Sequence, residues 1–152
     1  MKLFFLTTFI IFFSITSKAE ILKPSSLITS KEVISIQLTA LQNNNSPYEN
    51  AGIEQTWEFA HPSNRQYTGP LEKFTLMMYS PSYSIMLEHK SHKIILVEEN
   101  DNITFYFIEL IDKAGNQFGF QWILEKVFLE GEYNNCWMTV SVSRPIPISK
   151  GT

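Results

Sequence analysis

The apolar residues of this chain change their period at Pro81. Before it they recur at helical spacing: Ile34, Leu38 and Leu41, then Ile53, Trp57 and Ala60, then Leu71, Phe74 and Met78. Each set falls on one face of a 3.6-residue helix. After Pro81 the apolar positions alternate, as they do in strands with one buried face. Helices gathered ahead of the strands, rather than interleaved with them, do not suit a parallel βαβ sheet. They predict an α+β fold in which three N-terminal helices pack on a strongly curved antiparallel sheet of about five strands.

Local signals set the expected boundaries. Thr29 and Glu32 have the spacing of a capping box, with Ile28 and Val33 as a possible hydrophobic staple, and Asn43 to Pro47 is loop chemistry. The second helix is predicted over Ile53 to Ala60 and stops at Pro62. Thr68-Gly69-Pro70 opens the third, which ends at Ser80-Pro81. Strands are predicted at Tyr83–Leu87, Lys93–Glu98, Asn102–Asp112, Gln117–Leu129 and Cys136–Arg144, with Glu130–Asn135 as a longer loop. Lys113-Ala114-Gly115-Asn116 joins the long pair as a hairpin. If Asp112 faces Gln117 across that turn, Phe107 faces Trp122. One face then carries Ile103, Phe105, Phe107, Glu109 and Ile111 with Phe118, Phe120, Trp122, Leu124 and Lys126. The other carries Thr104, Tyr106, Ile108, Leu110 and Asp112 with Gln117, Gln121, Ile123 and Glu125. The first face is the more aromatic and is the expected floor under the helices.

The N-terminus has the form of a secretory signal. Met1-Lys2 is cationic, Leu3 to Phe13 is apolar, and Ser17-Lys18-Ala19 ends in a small-x-small pattern that predicts cleavage after Ala19. The apolar run is too short for a transmembrane helix, which needs roughly 20 residues. The expected organisation is a signal over 1–19, a linker over 20–28, one domain over 29–145 and a tail over 146–152. The expected location is outside the cytoplasm, periplasmic or secreted.

The whole chain carries 12 basic and 15 acidic residues, for a net charge of −3. Lys2 and Lys18 lie in the leader, so the remainder is more acidic still. Such a balance without a basic cluster argues against a nucleic-acid partner and against docking on an anionic membrane. Cys136 is the only cysteine. It forms no intramolecular disulfide and reads as a small buried hydrophobe beside Trp137. Asn44-Asn45-Ser46 and Asn102-Ile103-Thr104 match the glycosylation sequon, which has meaning in a eukaryotic host.

Two stretches carry a family resemblance. Trp57 to Arg65 with Thr68-Gly69-Pro70-Leu71-Glu72-Lys73-Phe74, and Gly131 to Val142 with its Cys136-Trp137-Met138-Thr139, resemble an uncharacterised domain family. Its members are similar in fold to nuclear transport factor 2 and the SnoaL-like polyketide cyclases, of the cystatin-like class. The resemblance spans roughly Ser30 to Val142. It implies a cone made by a bent sheet, closed by helices, with a pocket at the wide end. SnoaL-like enzymes place an Asp or His on the pocket floor as general acid or base, and no residue here aligns with it.

Few residues offer chemistry. Glu109 interrupts the expected aromatic floor, where desolvation would raise its pKa toward that of a general base; on a wet rim it would be an ordinary glutamate. His61, Asn64 and Arg65 could form a pocket-mouth cluster, with Arg65 forking onto a carboxylate. They could equally serve as turn and capping residues. Phe107 and Trp122 are candidates to line a ligand site, and the large aromatics could also be plain core. His89 and His92 stand as H-x-x-H, too few ligands for zinc. No metal and no cofactor is expected. The leading expectation is a non-enzymatic module holding a small apolar ligand or a protein partner. The alternatives are a small lyase or isomerase using Glu109, and a protein that dimerises through the back of its sheet at Tyr106, Ile108, Leu110 and Ile123.

Overall fold

The computed structural model describes residues 20–148; the expected leader, 1–19, lies outside them, as do residues 149–152. The elements are α1 (Ser30–Gln42), α2 (Ala51–Glu58), α3 (Pro62–Thr68), α4 (Leu71–Met78), a 3-10 turn (Ser84–Met86), β1 (Ser91–Glu99), β2 (Ile103–Ile111), β3 (Gln117–Lys126), β4 (Trp137–Val142) and β5 (Ile146–Pro147). The fold is α+β, as the period change at Pro81 requires. The sheet is antiparallel and open, in the order β1-β2-β3-β4. Beyond the reach of β4, β5 pairs with Phe118 and Gly119 of β3, so the sheet continues into residues read as tail.

α1 starts at the expected capping box. Thr29 Oγ1 accepts from the Glu32 amide and the Glu32 carboxylate accepts from the Thr29 amide at 2.8 Å. That bond to the Thr29 backbone, with a second from its hydroxyl, holds the Glu32 carboxyl below its usual range. The buried stripe is Val33, Ile34, Gln37, Leu38 and Leu41. α2 is capped from outside itself: Asn44, 1% exposed, accepts the Ile53 amide at 3.0 Å through Oδ1. That carboxamide is committed to the fold, so a glycan on Asn44 would displace these bonds. Gly52 lets α2 lie against α1, since a Cβ there would overlap the Ala40 carbonyl oxygen.

Among the described residues four α-helices form rather than three. Pro62 does follow the end of α2, but it also occupies the first turn of α3, where its missing N–H costs nothing. The stretch Tyr83–Leu87, expected as a strand, is the 3-10 turn instead. Its amides bond locally, Met86 to the Tyr83 carbonyl and Leu87 to that of Ser84. Its apolar residues pack by turning rather than by alternating.

The largest correction is the register of the long hairpin. Ile111, not Asp112, faces Gln117, and Tyr106 faces Trp122 while Phe107 faces Gln121. Asp112 belongs to the turn: its Oδ1 accepts the amides of Ala114 and Asn116, both at 2.9 Å, and its backbone bonds Asn116. Burial alone would raise the Asp112 pKa, but these loop amides outweigh it and hold the carboxyl low. The connection is therefore three residues, Lys113 to Gly115, with Gly115 at φ +91° supplying the left-handed position such loops require. A shift of one residue moves a strand's whole side-chain set to the other face. The inner face of β2 is thus Thr104, Tyr106, Ile108 and Leu110, all buried, against Phe118, Phe120, Trp122 and Leu124. Ile103, Phe105, Phe107 and Glu109 look outward.

The core lies between this inner face and α1, α2 and α4, around Ile34, Leu38, Phe59, Ile108, Phe120 and Trp122. A smaller cluster of Val127, Cys136 and Met138 is covered by the loop after β3. Cys136 is buried as expected, and burial pushes its thiol pKa up. Among the described residues no helix is long and apolar enough to cross a membrane.

Candidate functional site

The chain is nailed together where β4 meets the α2–α3 junction. Ala60 and Thr139 form a parallel bridge; the His61 amide donates to the Thr139 carbonyl and the Thr139 amide to that of Phe59, both at 2.8 Å. α4 and the 3-10 turn stand off from this seam. Between them and β4 a cavity of about 230 Å³ remains. Its floor is buried Leu41, Phe74, Met78, Met86 and Trp122, and its rim includes Asn64, Thr68, Met77, Tyr83 and Val142. Tyr83 donates to the Val142 carbonyl at 3.2 Å, which ties the rim's two sides.

A buried polar chain forms one wall. The Trp122 indole N–H donates to Thr139 Oγ1 at 3.1 Å, and the Thr139 hydroxyl donates to Gln37 Oε1 at 2.7 Å. Gln37 Nε2 donates to the Thr56 carbonyl at 3.1 Å, which sets the orientation of its amide. Trp122, Gln37 and Thr139 are 1%, 1% and 3% exposed. A hydrogen-bonded chain of this kind pins neighbouring elements, here α1, α2, β3 and β4, in one arrangement. No Asp, Glu, His, Lys, Arg or Cys is among the residues that line the cavity.

The candidate residues separate. Trp122 is in the cavity wall and Asn64 at its rim, where Nδ2 donates to the Thr139 carbonyl at 3.2 Å. Arg65 is turned the other way. Its Nε and Nη2 donate to the carbonyls of Ala60, Trp57 and Glu58 at 2.9 to 3.0 Å, closing the C-terminus of α2, and its guanidinium lies 4.9 Å from the Trp57 ring. Those bonds leave it no fork for a ligand carboxylate. His61 is the N-cap of α3: its Nδ1 accepts from the Ser63 amide at 3.1 Å, and burial lowers its pKa, with Glu125 working weakly against that. Phe107 lies on the outer face, its ring resting over Gly119, where a Cβ would collide with Phe107 Cζ.

Glu109 is exposed on that same outer face, opposite Lys93. The desolvated floor position expected for it does not exist, because the register that created it is off by one. His89 and His92 do meet: His89 Nδ1 donates to the Met86 carbonyl at 2.7 Å and His89 Nε2 lies 2.7 Å from His92 Nδ1. Burial lowers both pKa values. No third potential metal ligand joins them among the described residues.

Sequence reasoning missed Gln37 and Thr139. Gln37 was the detectable one, since it shares the helical stripe of Ile34, Leu38 and Leu41, and a carboxamide on an apolar stripe needs a partner. Thr139 sits in an alternating strand and looks like any β-branched residue. No protein-family model matches this chain, and no curated protein and no solved structure matches it.

Proposed function

We propose that this chain is an exported binding module of the nuclear transport factor 2-like cone kind, holding a small, largely apolar molecule in the cavity beneath α4. The observation that carries the reading is the cavity itself: about 230 Å³, walled by Trp122, Phe74 and methionines, beside a polar chain already bonded to itself. Ligand sites are typically such concave, mostly apolar spaces with a few polar groups. Helices on one face of an open antiparallel sheet support the cone, and the charged start with its short apolar run and Ser17-Lys18-Ala19 supports export. The lyase or isomerase alternative loses support, because Glu109 points to solvent and no carboxylate or imidazole lines the cavity. Native mass spectrometry of protein taken from its own host tests the reading. A mass excess of one small molecule per chain is expected; chains that carry none, and that take up none in the titrations below, would overturn it.

One observation favours dimerisation as a second reading. Ile95 and Phe107 face each other on the outer side of the sheet, next to the pair Phe105 and Ile123, and all four are half-buried with no helix or strand over them among the described residues. The surface differs from the one expected: Tyr106, Ile108 and Leu110 are in the core, and only Ile123 remains outside. The same spectra test it, since a dimer that Phe107→Lys dissociates supports this reading and a monomer at micromolar concentration rejects it.

A further inference from the structure

We infer that the cavity selects an uncharged molecule bearing a carbonyl-type acceptor; this rests on the binding reading above and names its ligand class. Two features set the class. The first is the complete lack of ionisable acids and bases among the lining residues, apart from the phenol of Tyr83. An ionic head group would enter this space without a counter-charge, and desolvation of an unpaired ion is far costlier than that of a neutral polar group. The second is the set of N–H groups that the protein leaves over. Gln37 has two amide protons and one goes to the Thr56 carbonyl. Its Oε1 is held by the Thr139 hydroxyl, so the amide cannot flip to hide the second proton. Gln37 is 1% exposed and lines the cavity. Asn64 is half-buried at the rim, with one proton on the Thr139 carbonyl and a second that solvent or an occupant can accept.

Buried N–H groups without an acceptor are rarer than carbonyls with a free lone pair. The cavity therefore asks for an acceptor from its occupant. A ketone, ester or amide oxygen supplies it without charge, and the rest of the molecule meets Met77, Met78, Met86, Phe74 and Trp122. Thioether side chains adapt to irregular apolar shapes, so the tail is recognised by size more than by outline. A 150 Å³ apolar cavity accommodates benzene. At about 230 Å³ this one suits an occupant on the order of ten non-hydrogen atoms.

The test uses three eight-carbon probes on the intact protein: 2-octanone, octanoate and octylammonium, titrated at pH 7 and followed by the carbon-13 methyl signals of methionine. Met77, Met78 and Met86 line the cavity, and Met138, in the separate cluster under the loop after β3, is the internal control. 2-Octanone should shift the three cavity methyls and leave Met138 in place. The two ions should bind at least about tenfold more weakly. Octanoate should strengthen as the pH is lowered toward 5, on the order of tenfold per unit while it becomes the neutral acid. Octanoate or octylammonium binding at pH 7 as tightly as the ketone, with the same three methyls moving, would overturn the neutral class and leave the cavity as a binding site. If no probe moves Met77, Met78 or Met86, the binding reading falls and this inference with it.

Discussion

Thr139 and Thr104 make a matched pair on which the buried polar chain can be tested. Both are strand residues on the inner face, 3% and 1% exposed. Thr139 Oγ1 accepts from Trp122 and donates to Gln37, whereas Thr104 Oγ1 has no hydrogen-bond partner among the described residues. Valine has the same shape as threonine without the hydroxyl. Thr139→Val strands the Trp122 indole N–H and Gln37 Oε1, which belong to residues that are each 1% exposed. A buried group left unsatisfied costs about 1–3 kcal/mol, so the variant should lose about 2–4 kcal/mol once the added apolar methyl is set against it. Thr104→Val strands nothing and removes an unsatisfied hydroxyl, so it should be neutral or stabilising by up to about 1 kcal/mol. Thr139→Ser keeps the hydroxyl and should lose only about 1 kcal/mol with the methyl group. Urea unfolding resolves these differences, and for a domain of this size each kcal/mol also moves the melting temperature by roughly 3–5 °C. The indole N–H of Trp122 should in addition lose its protection from hydrogen exchange in Thr139→Val. Equal effects of valine at 139 and 104 would refute the network as a source of stability.

Three further outcomes are expected. Gly52→Ala should destabilise by about 3 kcal/mol or more in urea unfolding, because its Cβ would meet backbone of α1 rather than a movable side chain; a change under about 1 kcal/mol would mean that α1 and α2 are not this close. Arg65→Met should lose about 2–3 kcal/mol by uncovering the three carbonyls at the end of α2, and Arg65→Lys should restore little, since an ammonium does not span them as a fork does; full rescue by lysine would reject the capping role. The histidine pair sets a pH dependence. Burial lowers both folded-state values, so the unfolded chain takes up protons first. Stability is then complete above the unfolded pKa of about 6.5 and falls as the pH drops from there toward the folded values. The 2.7 Å contact leaves room for one proton between the facing nitrogens, not two. The double variant His89→Asn, His92→Asn should flatten the stability profile between pH 7 and 5, and an unchanged slope would show that the pair contributes nothing to it.

Much of this architecture is local and legible in the amino-acid sequence. The capping box at Thr29 and the stripes of α1 and α4 follow from spacing within one element. So does the change from helices to antiparallel strands, because each such signal depends on residues a turn or a pleat apart. Cys136 behaves as a lone buried thiol for the same reason. The hairpin shows where local reading ends. Four residues after Asp112 look like a tight connection, and the choice between a three- and a four-residue loop rests on whether the Asp112 carboxylate turns back to collect the amides of Ala114 and Asn116. That small choice decides which face of β2 meets the helices. With it Glu109 and Phe107 go to the outside and Tyr106, Ile108 and Leu110 to the core.

The cavity belongs wholly to the tertiary structure. Gln37, Thr139 and Trp122 are far apart in the chain, and only the seam between Ala60 and Thr139 brings them into one hydrogen-bonded line. Arg65 makes the same point in reverse, since nothing in His61-Pro62-Ser63-Asn64-Arg65 reveals that the guanidinium closes the preceding helix while Asn64 faces the cavity rim. Period, caps and composition are properties of neighbours along the chain, and they determined the class of fold. Which side chains face inward, and what space they leave, depends on packing between distant segments, and only the folded chain decided it.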